Sequence, residues 1–190
     1  MQWKNSEARY GLVAAGFHWF VALLFLGNLA LGFYMSDLEL SDPNLFPLYQ
    51  LHKSFGISIF AIVIARLAWR FIDPPPALPD EMAGWEKIAA SLTHLGLYTL
   101  LVAMPLTGWI VVSASPINIP TLVFDMVPVP HIGFIVTDPD KDRWLAVGEW
   151  GHWLLAWTAA AAVILHVAAA LRHHFILKDD ILRRMLPWSS

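Results

Sequence analysis

The sequence of 190 residues contains no cysteine. Without thiols the chain has no disulfide, no iron–sulfur cluster, no thiolate metal site and no covalently attached c-type haem. Charged residues are also scarce at 14%, whereas 57% of the residues are hydrophobic and the mean hydropathy is +0.56. This composition, with ten tryptophans that suit interfacial belts, indicates one compact membrane domain over residues 1–190.

Four apolar stretches are long enough to cross a bilayer core, which takes roughly 20 residues of helix. We expect them over about residues 12–34, 51–72, 92–113 and 148–175. The second is followed by Asp73 and three prolines, which cannot continue a helix, and the third contains Pro105. A linker over 74–90, with a surface helix at 85–90, and a longer loop over 115–147 connect them. The predicted fold class is all-α, an integral membrane four-helix bundle.

An even number of spans places both termini on one face of the membrane, called here the terminal side; the opposite face is the loop side. Nine of the twelve basic residues fall on the terminal side or at its helix ends, whereas Lys53, Lys141 and Arg143 fall on the loop side. Basic residues stay in the cytoplasm, so we expect cytoplasmic termini and a bacterial inner membrane location. The first eleven residues lack the apolar segment of a cleaved signal peptide, so the first span should stay in the membrane.

Histidine is costly inside hydrocarbon, and its presence there indicates function. His152 and His166 are 14 residues apart. At 100° per residue both leave one face of the last helix, about 21 Å apart along its axis. By depth, His52 pairs with His152 near the loop side, and His18 pairs with His166 near the terminal side. Two neutral imidazoles on facing helices are the axial ligands of a b-type haem, so the sequence predicts two haems at two depths.

Three other interpretations of these histidines were weighed against the haem hypothesis. They can be core histidines bonded to neighbouring carbonyls, although pairing by depth on antiparallel helices is not expected of such residues. Zinc needs three or four ligands around one atom, which a separation of about 21 Å between the layers forbids. A transporter with structural histidines would have broken helices at the midplane, and Pro105 is the one hint of this.

The 14-residue step recurs on the other helices. Arg66 follows His52 by this step, at the depth of the terminal-side haem. There it would pair with a haem propionate, or it would extend to the membrane surface. On the first and third helices, Gly32 follows His18 and Gly108 follows His94 by the same 14 residues, which places both glycines at the depth of the loop-side haem. Glycine there would admit the macrocycle close to the backbone, or would only let two helices approach closely.

Several further polar residues have weaker patterns. His94 and His173 lie towards the terminal side, where each would bond a propionate or a quinone carbonyl, or be an ordinary interfacial histidine. Lys53 follows the predicted ligand His52 and, with Arg143, would form a local positive patch over the loop-side haem. The histidine of the long loop, His131, lies among prolines and receives no role.

Six motifs together carry a resemblance that extends over nearly the whole chain. They are FHWF at 17–20, LHKSFGISI at 51–59, RLAWR at 66–70, THLGLY at 93–98, MPLTGW at 104–109, and GHW with LHVAAALRHHFILKDDILRRMLP within 151–187. The sequence resembles the bacterial cytochrome b-561 family of four-helix dihaem membrane proteins, most closely its superoxide oxidase branch. The resemblance implies two haem b groups, one with His52 and His152 as axial ligands and one with His18 and His166, and a ubiquinone site.

The resemblance implies a membrane oxidoreductase that passes electrons from a periplasmic donor, superoxide in that branch, to ubiquinone. The loop side, however, carries eight acidic residues against three basic ones. Such a surface suits a basic cytochrome c better than an anionic radical. The alternative is therefore a haem b carrier or anchor subunit for a periplasmic cytochrome c, hydrogenase or dehydrogenase. Membrane lipid and quinone are the expected partners, nucleic acid is not, and a homodimer is left open.

Overall fold

The computed structural model describes residues 2–80 and 82–186, and within these ranges four helices are long and apolar enough to cross a membrane. They are α1 (Leu12–Ser36), α2 (Leu45–Ile72), α3 (Gly84–Ala114) and α5 (Lys141–Arg172), the last extended by a π-helical turn (His173–Leu177). The protein is a multi-pass membrane protein, and the predicted all-α four-helix architecture is confirmed.

The segment between α3 and α5 is partly structured. Strands β1 (Thr121–Val123) and β2 (Val127–Val129) form an antiparallel hairpin, followed by the short helix α4 (Gly133–Val136). The hairpin packs on α2, where Ser54 Oγ accepts the backbone N–H of Phe124 at 2.9 Å. The predicted loop over 115–147 is therefore a compact cap on the loop side. A last short helix, α6 (Ile181–Arg184), follows the π-helical turn on the terminal side.

The helices are longer than the apolar stretches that predict them. α2 begins at Leu45 rather than near residue 51, and α5 begins at Lys141 rather than near 148. α3 begins at Gly84, so the segment predicted as a separate surface helix at 85–90 forms its first turns. Hydropathy marks the part of a helix inside hydrocarbon, whereas the backbone hydrogen bonds continue into the polar region. The predicted end of α2 at residue 72 is confirmed, and Pro105 lies within α3.

The bundle interior is an apolar core between two more polar layers. α1 packs on α2, α2 on α3, and α3 on α5. On each long helix, two of the residues singled out above are 14 positions apart, and the residue halfway between them belongs to this core. These midpoint residues are Phe25, Ile59, Leu101 and Ala159. Seven residues are about 10 Å of helix. The core therefore separates the two predicted haem positions with buried apolar side chains.

Three hydrogen bonds join the chain ends at the terminal side. The backbone N–H of Asn5 donates to the carboxylate of Asp73, just after α2, at 2.9 Å. Tyr10 N–H donates to the carbonyl of Arg184 at 3.2 Å, and the Trp19 indole donates to the carbonyl of Met185 at 3.0 Å. The N-terminal segment, the linker after α2 and the C-terminal segment therefore lie together, as an even number of spans requires.

Candidate functional site

Eight residues form two layers, one above and one below the apolar core. The loop-side layer consists of Gly32, His52, Gly108 and His152, and the terminal-side layer consists of His18, Arg66, His94 and His166. Each of the four long helices contributes one residue to each layer, and the two are 14 residues apart on every helix. The contacts within each layer are side chain to side chain or glycine to imidazole.

The structure brings together the two histidine pairs that were predicted from their depth in the membrane. In the loop-side layer the rings of His52 and His152 lie 6.2 Å apart between centroids, with an interplanar angle of 82°. In the terminal-side layer the rings of His18 and His166 lie 6.3 Å apart at 60°. All four side chains are half-buried within the bundle. Their assignment as ligands remains a prediction, since the arrangement is also that of packed core imidazoles.

The spacing of both pairs fits a metal held between two imidazoles. Imidazole nitrogens bind first-row metals at about 2 Å, and each centroid lies about 1 Å behind its nitrogen. Two opposed rings on one metal therefore have centroids roughly 6 Å apart. The measured 6.2 and 6.3 Å match this separation. Neutral nitrogen donors on facing helices are also the ligand type of b-type haem.

His152 is held in the tautomer that a metal ligand requires. Its Nδ1 lies 3.2 Å from the carbonyl oxygen of Met104 and 3.0 Å from Oγ1 of Thr107. A carbonyl only accepts, so Nδ1 carries the ring proton and Nε2 keeps its lone pair. Metal-bound histidines characteristically make such a bond through the second nitrogen. α3 thus orients a histidine of α5 without supplying a ligand itself.

His52 lacks the hydrogen bond at Nδ1 that orients His152. Within the described residues, its Nδ1 is buried without a hydrogen-bond partner. The main-chain carbonyl of Asn28, on α1, approaches this ring but does not reach hydrogen-bond geometry. Asn28 is itself buried in the membrane part of the bundle, at 9% exposure. α1 therefore brings a main-chain carbonyl towards the predicted ligand of α2.

The two glycines of the loop-side layer face imidazoles. A Cβ at Gly32 would lie 3.0 Å from Cε1 of His52, and one at Gly108 would lie 3.4 Å from Cε1 of His152. The first distance is too short for a side chain without movement of the ring. The group next to both glycines is a histidine ring, and their predicted roles beside a macrocycle or at a close helix contact stay predictions. Gly56 is different, since its Cβ would make an ordinary 3.8 Å contact with Asn28.

The terminal-side layer carries a half-buried cation, Arg66. Arg66 places Nη2 3.1 Å from Nδ1 of His18, and its guanidinium lies over the ring of Tyr98, 5.2 Å from the centroid. The guanidinium has no acceptor, so in this geometry His18 accepts at Nδ1 and its ring proton sits on Nε2. Ligation through Nε2 requires the opposite tautomer.

His94 adds a third imidazole to the terminal-side layer. Its ring centroid lies 5.6 Å from that of His166, at an interplanar angle of 67°. The structure therefore places His94 beside a predicted ligand, as its position near the terminal end of α3 suggested. From the sequence, His94 bonds a propionate, bonds a quinone carbonyl or is an ordinary interfacial histidine, and its role stays a prediction.

His173 and Lys53 have partners other than those predicted for them. His173 Nδ1 lies 2.5 Å from the carboxylate of Asp179, because the chain reverses at Lys178, which has a left-handed backbone with φ 57°. The Lys53 ammonium donates to the carbonyl of Pro120 at 3.3 Å, under the hairpin segment. The lysine is therefore directed at the loop that covers α2, and the predicted positive patch rests on Arg143, exposed at the start of α5.

Three polar groups in these layers were not predicted from the sequence: Asn28, Tyr98 and Thr107. Each is a polar residue inside an apolar run, which is the signal that could have identified it. Asn28 precedes Gly32 by one helical turn and so shares its face, and Thr107 adjoins Gly108. The contacts of Tyr98 with Arg66 and of Thr107 with His152 depend on how the helices pack, which a single helix face does not specify.

Comparisons with known proteins identify a family and several relatives of this chain. A family model described as prokaryotic cytochrome b561 matches residues 9–188. Cytochrome b561 homolog 2 of Escherichia coli K12 is 36% identical over 190 residues, covering 100% of this chain and 97% of that protein. The probable superoxide oxidase CybB of Yersinia pestis is 28% identical over 190 residues, covering 94% and 96%. Cytochrome b561 homolog 1 of Escherichia coli K12 is 28% identical over 138 residues, covering 73% and 74%.

Proposed function

Because the chain belongs to the prokaryotic cytochrome b561 family, whose members bind haem b, we propose that it is a dihaem membrane cytochrome that moves electrons between a periplasmic donor and the quinone pool. The observation that carries this proposal is the occurrence of two opposed imidazole pairs at two depths, with centroid separations of 6.2 and 6.3 Å. Haem b, when bound, supplies reversible one-electron chemistry, and the protein supplies its ligands and surroundings.

The residues of each layer have distinct roles in this proposal. His52 and His152 hold one haem and His18 and His166 hold the other. Met104 and Thr107 keep the Nε2 lone pair of His152 free for the metal. The glycines of the loop-side layer leave room for the imidazole rings at the orientation that ligation needs.

Arg66 is the cation that the terminal-side layer offers to a haem propionate. A guanidinium inside the membrane costs roughly 2.5–3.5 kcal/mol on insertion scales unless it is paired. A haem propionate is a suitable partner because a charge-assisted, bidentate bond offsets that cost. His94, beside His166, is the second group available to a propionate or to a quinone carbonyl in this layer.

The orientation follows from the distribution of basic residues. We infer that both termini lie in the cytoplasm and that the protein resides in the bacterial inner membrane, because nine of the twelve lysines and arginines fall at the terminal side. The hairpin and α4 then face the periplasm. Electrons from a periplasmic donor enter at the loop-side layer, and α5 provides a ligand to both layers.

We infer that the donor is superoxide and the acceptor is ubiquinone. A relative at 28% identity carries the name probable superoxide oxidase, and its similarity covers 94% of this chain. Two superoxide anions would release two molecules of oxygen and deliver two electrons, and one ubiquinone would take these electrons with two protons. Arg143, exposed on the loop side, is a cation that can attract the anion.

A second donor class has its own supporting observation. Eight acidic residues on the loop side face three basic ones, and Lys53 is turned towards the Pro120 carbonyl. A negative surface attracts a basic electron-transfer protein and repels superoxide. The alternative is therefore a haem b carrier or anchor subunit that exchanges electrons with a periplasmic cytochrome c, a hydrogenase or a dehydrogenase.

The dependence of the rate on salt distinguishes the two donors. The oxidised protein is mixed by stopped flow with a superoxide source or with reduced basic cytochrome c, and haem reduction is followed optically. For an attractive superoxide site the rate falls as salt increases, whereas for repulsion by the acidic surface it rises. Fast reduction by cytochrome c that slows with salt supports the carrier alternative. Slow, salt-independent reduction by both would contradict both periplasmic models.

The haem stoichiometry tests the proposal as a whole. Purified protein from cells supplied with excess haem precursor is assayed for protohaem per chain and titrated with a redox mediator series. We expect two haems per chain, both with bis-imidazole spectra, and two resolved one-electron steps. A single haem per chain, or a spectrum without bis-imidazole ligation, would contradict it.

A further inference from the structure

Gly32 and Gly108 differ from the other glycines of the chain in what they face. All eleven glycines lie among the described residues, and at the other nine an added Cβ would meet backbone, aliphatic carbons, an amide or open space. At these two it would meet an imidazole that belongs to a predicted ligand on the neighbouring helix. The same kind of contact therefore occurs twice in the loop-side layer, between α1 and α2 and between α3 and α5.

Each of these two glycines is accompanied by a main-chain carbonyl that is directed at the same imidazole and lies four residues earlier in the chain. On α3 this is the carbonyl of Met104, whose oxygen lies 3.2 Å from Nδ1 of His152. On α1 it is the carbonyl of Asn28, which approaches the ring of His52. A carbonyl and a glycine at one fixed spacing thus form a repeated unit on two different helices.

The spacing of four residues has a physical reason. A helical side chain leans towards the N-terminus of its helix and covers the turn that precedes it. The carbonyl four residues back is therefore ordinarily screened from a neighbouring helix, and a glycine removes that screen. A carbonyl oxygen has two lone pairs, so it can keep its bond within the helix and accept a second hydrogen bond from an imidazole.

The unsatisfied nitrogen of His52 is consistent with such a bond on α1. Its Nδ1 is covered by protein and has no hydrogen-bond partner among the described residues. Buried polar nitrogens are ordinarily hydrogen-bonded, and the Asn28 carbonyl is the acceptor that approaches this ring. A Cβ at Gly32 would lie 3.6 Å from this Nδ1 and 3.0 Å from the adjacent Cε1. A larger residue would therefore take the space that the ring needs to reach the carbonyl.

We propose that the two glycines of the loop-side layer are positioning residues, each of which opens the carbonyl four residues before it to Nδ1 of the facing ligand. His52 then donates to the Asn28 carbonyl. His152 donates to the Met104 carbonyl, and both rings present the Nε2 lone pair to the metal. The inference rests on the proposed dihaem function and adds how the potential of its loop-side haem is set. A hydrogen bond at Nδ1 makes a ligating imidazole more basic, which stabilises ferric iron and lowers the potential.

The terminal-side layer has a different arrangement at its two positions that are not predicted ligands. They hold Arg66 and His94 instead of glycine. Nδ1 of His18 faces the Arg66 guanidinium, which is a hydrogen-bond donor, at 3.1 Å. The group that lowers a haem potential is therefore at the loop side, and the cation that raises one is at the terminal side. Both differences favour electron flow from the loop side to the terminal side.

The midpoint potential of the loop-side haem measures the proposed hydrogen bond on α3. Gly108→Ala places a Cβ 3.4 Å from Cε1 and 3.6 Å from Nδ1 of His152, so the ring must move away from its acceptor. We expect both haems to stay bound and the one-electron equilibrium of the loop-side haem to shift about fivefold towards the reduced form, about 40 mV. Gly96→Ala on the same helix is the control, because nothing lies within 4 Å of a Cβ there.

A backbone ester tests the bond on α1 without added bulk. The α-hydroxy acid of leucine, incorporated in place of Leu29, turns the Asn28 carbonyl into an ester carbonyl, which is a weaker acceptor. The loop-side potential should rise by a similar factor. The same ester in place of Leu24 is the matched control, since it also removes one backbone N–H from α1. The carbonyl it weakens, that of Leu23, lies four residues before Gly27, where a Cβ would meet nothing within 4 Å.

Haem content and potential together decide between the outcomes. A higher loop-side potential, or loss of that haem, with the ester at position 29 but not at position 24 supports the proposal. Equal effects of the two esters, or an unchanged loop-side potential with the ester at position 29, overturn it, because the glycines then provide space alone. In that case two haems per chain leave the dihaem function standing. Fewer than two haems in the unaltered protein would contradict the proposed function, and this inference with it.

Discussion

The loop-side and terminal-side layers share one spacing but differ in what fills it. α5 contributes one predicted ligand to each layer. The second predicted ligand comes from α2 in the loop-side layer and from α1 in the terminal-side layer. The remaining two positions hold Gly32 and Gly108 in the loop-side layer, but Arg66 and His94 in the terminal-side layer. One layer therefore provides space around its imidazoles, and the other provides charge and hydrogen-bond donors.

This difference predicts an order of redox potentials. A cation near a haem stabilises the reduced form, because reduction adds a negative charge. Arg66 lies in the terminal-side layer, whereas the loop-side layer contains glycines at the corresponding depth. We expect the terminal-side haem to have the higher potential. Electrons would then move from the loop side to the terminal side, through the apolar core around Phe25 and Ile59.

The largest effect is expected from closing the space at Gly32. Gly32→Val puts a branched side chain where even a Cβ would lie 3.0 Å from the His52 ring. Overpacking should displace that ring, so the haem content should fall from two to about one per chain, with the loop-side haem lost. Gly27→Val on the same helix is the control, because nothing lies within 4 Å of a Cβ there. Equal haem loss in both variants would show that the helix, not the layer, is affected.

A smaller effect is expected from removing the charge of the terminal-side layer. Arg66→Met should leave both haems in place and lower the potential of the terminal-side haem by on the order of 60 mV, a tenfold change in a one-electron equilibrium. Optical redox titration measures this shift. Arg70→Met, which removes the guanidinium 5.7 Å from the Tyr98 centroid, should shift it less. A shift of the loop-side haem instead would reverse the assignment of the layers.

The smallest effect is expected at the bond that orients His152. Thr107→Val removes the hydroxyl 3.0 Å from Nδ1 but leaves the Met104 carbonyl as acceptor. Loss of one neutral contact should speed haem dissociation to apomyoglobin less than about tenfold. Thr99→Val, exposed on the same helix, is the control and should leave the rate unchanged. Faster loss of the terminal-side haem would contradict the contact.

The four spans and the pairing of histidines could be predicted from the sequence because both depend on position along a helix. Hydropathy locates the membrane, and a step of 14 residues keeps two side chains on one face. The first residues of α3 and α5 could not be predicted in this way, since these helices begin before the apolar stretch, at Gly84 and Lys141. The first turns of these two helices are stabilised by backbone hydrogen bonds, which hydropathy does not report.

The contacts between helices also could not be predicted from the sequence. Thr107 contacts His152 only because α3 and α5 pack side by side. The Asp179 carboxylate meets His173 because the chain turns back after the π-helical segment at Lys178. Lys53 is directed at Pro120 because the hairpin folds over α2. Each depends on a chain reversal or a helix pairing that residue spacing leaves undetermined.

Haem content in paired histidine variants tests the central claim most directly. His52→Ala and His152→Ala should each lose the same haem, and the double variant should lose no more than either. His18→Ala and His166→Ala should behave the same way for the other haem, whereas the combination of His18→Ala and His52→Ala should remove both. Loss of the same spectral component in the two single variants His18→Ala and His52→Ala would contradict two haems held at different depths.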